Sequence, residues 1–314
     1  MQDLVNSFDT PMLGLGKSEW LDALENVVDE HGYFRPLGEQ HYATLVEEKP
    51  ILLVTFETIQ SIQNRGESGQ PLGFELVKEL GWSHLCILSD GDTWFRDPAV
   101  YAHFDSLSDD GFFDEFEDVL FYGNGPCGYA AAAFSVTAPG ARVIALNPQA
   151  TLDPARAGWD LRHANGRKHC FTDRYGYAPD MIDAAASAFV LFSQHSIEDA
   201  MHASLFQSAN VERLPLPDLG RNAEAQLLNM NVLFSLLAQA KTDKLTRMSF
   251  FKLMRARRDN IPYLRHLLWR LKKKKRIFLT ALLCANVTSR LNIPVFRKTL
   301  NQLDLDASEG RLTG

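Results

Sequence analysis

The chain has 314 residues, 46% hydrophobic and 23% charged, which is enough for a sizeable core and unlike a disordered or fibrous composition. A net charge of −7 argues against a nucleic-acid binder, and four scattered cysteines (Cys86, Cys127, Cys170 and Cys284) with no CxxC pair give neither a disulfide framework nor a zinc site. The N-terminus lacks a basic region followed by an apolar run. The longest apolar stretch, Ile277 to Val287, is too short for a bilayer, which needs about 20 apolar residues. The expectation is a cytoplasmic protein with no transmembrane segment.

Residues 17–30 (KSEWLDALENVVDE) read as an amphipathic helix. From about residue 50, short apolar runs alternate with helix-like stretches. The runs are Ile51–Phe56, His84–Leu88, Val119–Tyr122, Arg142–Leu146, Ala188–Phe192 and Val211–Leu214. Most are continuously apolar, as strands covered on both faces are. Helical patterns lie between and after them at Ala99–Leu107, Cys127–Ser135, Asp199–Phe206 and Asn222–Ala240. This rhythm predicts an α/β fold with a doubly wound, mainly parallel sheet. The insert Asp153–Asp180 has the length of a lid.

Beyond residue 240 no strand pattern remains. Leu245–Arg258, Tyr263–Lys275, Arg276–Leu291 and Val295–Leu303 read as helices punctuated by Pro262 and Pro294. The expected division is an α/β domain over 1–240 and a basic, all-helical C-terminal extension over 241–314. Two charge runs, Arg255, Arg257 and Arg258, then Lys272 to Arg276, suit a solvated face, or contact with an acidic protein partner or an anionic surface.

The segment Asp118–Ser135, DVLFYGNGPCGYAAAAFS, carries the functional argument. An apolar strand ends at Gly123, a small-residue turn follows, and an alanine-rich helix begins. In the nucleophile elbow G-x-S-x-G, such a turn lifts a serine above the sheet, and the helix start offers N–H groups to an oxyanion. The layout resembles the α/β-hydrolase superfamily, closest to esterase-like members, some of them linked to surface polysaccharides. The resemblance covers roughly residues 45–240. It also rests on Ala141–Pro154, Phe189–Ala203, Asn210–Asn222 and, more loosely, Thr93–Leu107.

Taking Gly123 as the first small residue puts Gly125 at the nucleophile position, with no side chain to attack anything. A competing register makes Cys127 the nucleophile. The resemblance implies an acid after the strand at 188–192, for which Asp199 is the first candidate and Glu198 the second. It implies a histidine after the last strand, where this chain has Arg221, which stays protonated and is no general base. His163, His169, His195 and His202 remain as other histidines. Glu57, after Phe56, falls where the fold completes its oxyanion hole and would oppose a developing negative charge.

These readings describe a degenerate triad at Gly125, Asp199 and Arg221. Arg221 either pairs with Asp199 or joins the helix start in holding a small anionic ligand, with Phe56, Glu57, Gly125, Pro126, Cys127 and Arg221 as the binding residues. The alternative is an active ester or acyl hydrolase using Cys127. Gly123–Gly128 also fits the dinucleotide pattern G-x-G-x-x-G, but its strand is third in the series and no acidic residue ends the next one, which disfavours a nucleotide-binding enzyme. No cofactor or metal is expected.

Overall fold

The structure, a computed structural model, describes Phe8 and residues 10–48, 50–65, 68–217, 219 and 222–309. Eight strands form one sheet: β1 (Gly32–Leu37), β2 (His41–Val46), β3 (Ile51–Thr58), β4 (Ser83–Ser89), β5 (Asp118–Asn124), β6 (Arg142–Leu146), β7 (Ser187–Ser193) and β8 (Val211–Leu216). Their order is β1-β2-β4-β3-β5-β6-β7-β8. β2 runs antiparallel to both neighbours, and every pair from β4 to β8 is parallel. The six strands expected from the apolar runs are β3 to β8.

The hairpin β1–β2 has no counterpart in that reading. β1 is half exposed and carries Pro36, so it lacks the continuous apolar signal of a strand covered on both faces. Pairing with β2 on one side only leaves β1 as an edge strand, where proline is tolerated.

The helices are α1 (Lys17–Val28), α2 (Ile59–Arg65), α3 (Phe74–Leu80), α4 (Pro98–Asp109), α5 (Pro126–Phe134), α6 (Ile197–Leu205), α7 (Ala223–Asn229), α8 (Val232–Lys241), α9 (Arg247–Leu253), α10 (Ile261–Lys273), α11 (Ile277–Leu291) and α12 (Pro294–Ser308). One-turn helices lie in the insert. The single helix expected over 222–240 is broken into α7 and α8 at Met230–Asn231, where Asn231 adopts φ +54°. By compactness the chain divides into one unit of residues 1–217 and 234–250 and a second of 218–233 and 251–314.

In the first unit, side chains alternate across the sheet. Leu85 and Ile87 of β4 join a core with Phe104 of α4 and Phe134 of α5, while Cys86 and Leu88 join a second core with Trp20 and Leu24 of α1, Ile62 of α2 and Phe74 of α3. Both faces of the central strands are therefore covered, which is why β3 to β7 read as mostly apolar runs. The alanines Ala130 to Ala133 are all buried, so α5 lies close against the central strands.

Candidate functional site

β5 passes into α5 through one residue, Gly125, at φ +60° and ψ −122°. Glycine adopts that backbone without the strain an L side chain would carry. Its N–H donates to the Leu146 carbonyl (2.8 Å), and its own carbonyl accepts from Tyr129 N–H (2.9 Å), tying the turn to β6 and to the helix. A Cβ on Gly123 would lie 2.1 Å from the Cys127 carbonyl oxygen, and one on Gly128 would lie 3.0 Å from the carbonyl oxygens of Gly123 and Leu146. These two glycines let the helix turn back sharply over the strand. Pro126 takes the first helical position, where its fixed φ fits.

A sharp, positive-φ strand-to-helix turn thus sits at the C-terminal ends of the parallel strands, in a sheet ordered 1-2-4-3-5-6-7-8 with only its second strand reversed. This is the α/β-hydrolase fold. No protein-family model matches the sequence, and no curated protein does. Among solved structures, the chain is similar to Est1E from Butyrivibrio proteoclasticus (14% identity, 67% of this chain and 98% of that one, TM-score 0.42). It is similar to the thermophilic carboxylesterase EstE1 from a metagenomic library (11% identity, 73% and 98%, TM-score 0.43). It is also similar to the Glycosylation Associate Protein (Gap123) complex from Streptococcus agalactiae (10% identity, 68% and 47%, TM-score 0.43). The fold assignment stands on strand order and turn geometry rather than on these distant likenesses.

In an α/β-hydrolase elbow, the residue after the apex donates its N–H to the oxyanion. Here that residue is Pro126, which has none. The donors expected from the start of α5 therefore begin only at Cys127 and Gly128. The sequence signal for this loss is the Gly-Pro pair itself. A Cβ at Gly125 would meet nothing within 4 Å, so the space above the apex is open. Cys127 is two residues past the apex, already inside α5, and is buried in the apolar core.

Phe56 and Glu57 take opposite faces of β3, and neither is placed as expected. Phe56 is enclosed by Phe95, Phe104 and Phe134, with ring centroids 5.0, 5.7 and 5.5 Å away, and is a core residue rather than a ligand contact. Glu57 points to the face that also receives Cys86. There it is 2% exposed, pairs with Arg65 Nη2 at 2.5 Å and accepts from Leu72 N–H (3.0 Å) and Thr55 Oγ1 (3.0 Å). Burial pushes its pKa up, but Arg65, His84 and the Leu72 amide outweigh burial and hold it below the ordinary range. Its charge is thus neutralised on the far face and does not oppose an oxyanion at Gly125. Glu57, His84 and Cys86 place possible ligand atoms within 4.8 Å of one another. Arg65 on Glu57 and a thiol pushed well up by burial make that set a poor cation site.

Asp199 lies in the first turn of α6, where Ser196 Oγ caps the helix by accepting its N–H (3.2 Å). Its carboxylate binds Arg162 Nη1 at 2.6 Å. Arg221, the expected partner, lies outside the described residues. Arg162, from the insert, fills that role on the Asp199 side. The same guanidinium holds Asp160 (2.7 Å), whose side chain is fully buried and also accepts from His202 Nε2 at 3.0 Å. His202 Nδ1 in turn accepts Ala150 N–H (3.1 Å), so both ring nitrogens are used by the neutral tautomer. Burial lowers its pKa despite Asp160. His202 is therefore a structural histidine, and Asp160–Arg162–His202 is a grouping the sequence reading missed. Its signal, a buried Asp and His far apart in the chain, has no local spacing to reveal it.

The remaining candidates scatter. Glu198 accepts from Ser196 Oγ (3.3 Å), His195 is exposed in the turn after β7, and His163 packs edge-on against Trp94 with ring centroids 5.1 Å apart. His169 is half-buried beside Cys170. The insert, read as a lid, is fastened to the core. The buried Arg96 binds Asp173 and the carbonyls of Cys170 (2.9 Å) and Arg174 (2.6 Å), and Tyr129 Oη on α5 donates to the Tyr175 carbonyl (2.6 Å).

Proposed function

We propose that this chain is a catalytically degenerate α/β-hydrolase-fold protein, whose elbow binds a small anion instead of attacking an ester. The observation that carries the reading is the pair Gly125–Pro126. The apex keeps the elbow backbone, yet it has neither a nucleophile side chain nor the first oxyanion N–H. Arg221 at the histidine position and Asp199 bound by Arg162 support the same reading, because neither offers a base to the apex. Cys127 is not favoured as a substitute, since it is buried inside α5.

What the elbow retains is an open space over Gly125 and the N–H groups at the start of a helix, which favour negative charge. With Arg221 they suit a carboxylate, phosphate or sulfate. The test is thermal unfolding in acetate, phosphate and sulfate at about 10 mM, against matched chloride. A ligand present at about tenfold its Kd stabilises by about 1.4 kcal/mol, a rise of roughly 2–4 °C. The rise is expected in the wild type and not in Arg221→Ala. Equal melting in all salts, or an unchanged response in Arg221→Ala, rejects anion binding at the elbow.

A further inference from the structure

The second compact unit carries a surface that the elbow does not explain. Residues 251–303 hold fourteen Lys and Arg and a single acid, Asp259, in a chain whose net charge is −7. That acid is bound by Arg290 at 2.6 Å. Five consecutive cations, Lys272 to Arg276, occupy the corner between α10 and α11. The last of them, Arg276, is the N-cap of α11, where the helix dipole disfavours positive charge. The arrangement is unfavourable within the protein itself and calls for an anionic counterpart.

The same corner exposes large apolar side chains. Phe278 is 72% exposed, Trp269 55%, Leu282 51% and Leu279 47%. Trp269 stands one turn before Lys273, whose ammonium lies 5.0 Å from its ring, while Phe278, Leu279 and Leu282 share the first two turns of α11. Aromatic and aliphatic groups interleaved with lysines match the boundary between lipid headgroups and acyl chains. Lysines reach the anionic headgroups, and the apolar side chains enter below them. Nucleic acid supplies the charge but no apolar layer for Leu279 and Leu282. No helix among the described residues is long and apolar enough to cross a membrane.

We propose that the α10–α11 corner docks the protein peripherally on an anionic lipid bilayer. Lys273, Lys274, Lys275 and Arg276 supply the attraction, and Trp269, Phe278, Leu279 and Leu282 supply the insertion. Each cation near such a surface strengthens binding about fivefold, so the corner alone accounts for strong, salt-sensitive binding.

The test is co-sedimentation of the full chain with vesicles of phosphatidylcholine alone or with about 30% phosphatidylserine, with folding of each variant checked by circular dichroism. Binding to the anionic vesicles is expected to exceed that to neutral ones at least tenfold. Lys273→Ser/Lys274→Ser/Lys275→Ser should lose on the order of a hundredfold. Phe278→Ser/Leu282→Ser should lose about tenfold with its charge intact, and more of its residual binding should vanish at high salt. Absence of binding to anionic vesicles overturns the proposal. So does binding that ignores Phe278 and Leu282 and is matched by a single-stranded oligonucleotide, which would assign the surface to polyanions in general.

Discussion

Between about pH 7 and about pH 4.5, the unfolding free energy is expected to fall by roughly 4 kcal/mol, before most carboxylates titrate. Two buried histidines produce most of the fall, and His41 and His202, also lowered by burial, add to it with the same sign. His84 is pushed down to about 4 by burial, with Glu57 opposing and Arg65 adding to the shift. His103 is pushed down to about 4 by burial, aided by Arg35. In the unfolded chain each takes up a proton near pH 6.5. Their folded values are depressed, so the unfolded state binds more protons as pH falls below about 6.5. Stability is therefore full above that pH and drains away towards pH 4, by about 2 kcal/mol for each histidine. Below that, the depressed carboxylates Glu57 and Asp160 add losses of the same sign. Urea titrations at both pH values measure the fall. His103→Leu, whose side chain does not titrate, should remove about half of it. A flat profile in the wild type would show that these histidines are not held neutral.

Replacing Arg65 by methionine is expected to destabilise the fold by about 3–5 kcal/mol, because it strands the Glu57 carboxylate in the core. Glu57 keeps hydrogen bonds from Thr55 and Leu72, but these do not neutralise a buried charge. Glu57→Gln combined with Arg65→Met should recover much of the loss, since the double variant buries no charge. If Arg65→Met cost less than about 1 kcal/mol, Glu57 would not be ionised, and the account of its far-face neutralisation would fail.

The pair also shows what the sequence could and could not convey. The strands β3 to β7 were legible because each is covered on both faces and is written mostly in apolar residues. β3 carries Thr55 and Glu57 inside that run, but the side they face depends on strand register, which local pattern leaves open. The elbow was legible because glycine, proline and alanine are the residues its backbone demands. Pro126 was in plain view, yet its consequence appears only when the helix starts at that residue and its missing N–H coincides with the oxyanion donor. Asp160, Arg162 and His202 were illegible for a different reason. The insert that supplies two of them has no hydrophobic period, and their contact forms only when it packs against α6. Asp199 was correctly placed near a helix start, while its partner came from that insert. β1 stayed hidden because a half-exposed edge strand with a proline has the composition of a loop.

If the elbow is degenerate, its lost parts belong together. A serine at Gly125 would find space, but it would carry the strain of φ +60° and meet no N–H from Pro126. The most direct measurement is turnover of p-nitrophenyl acetate and p-nitrophenyl butyrate by the purified wild type, Cys127→Ala and Gly125→Ser. All three are expected to match the buffer blank, with Gly125→Ser folded but less stable by about 1–2 kcal/mol. Wild-type turnover that disappears in Cys127→Ala would contradict it and return the elbow to catalysis.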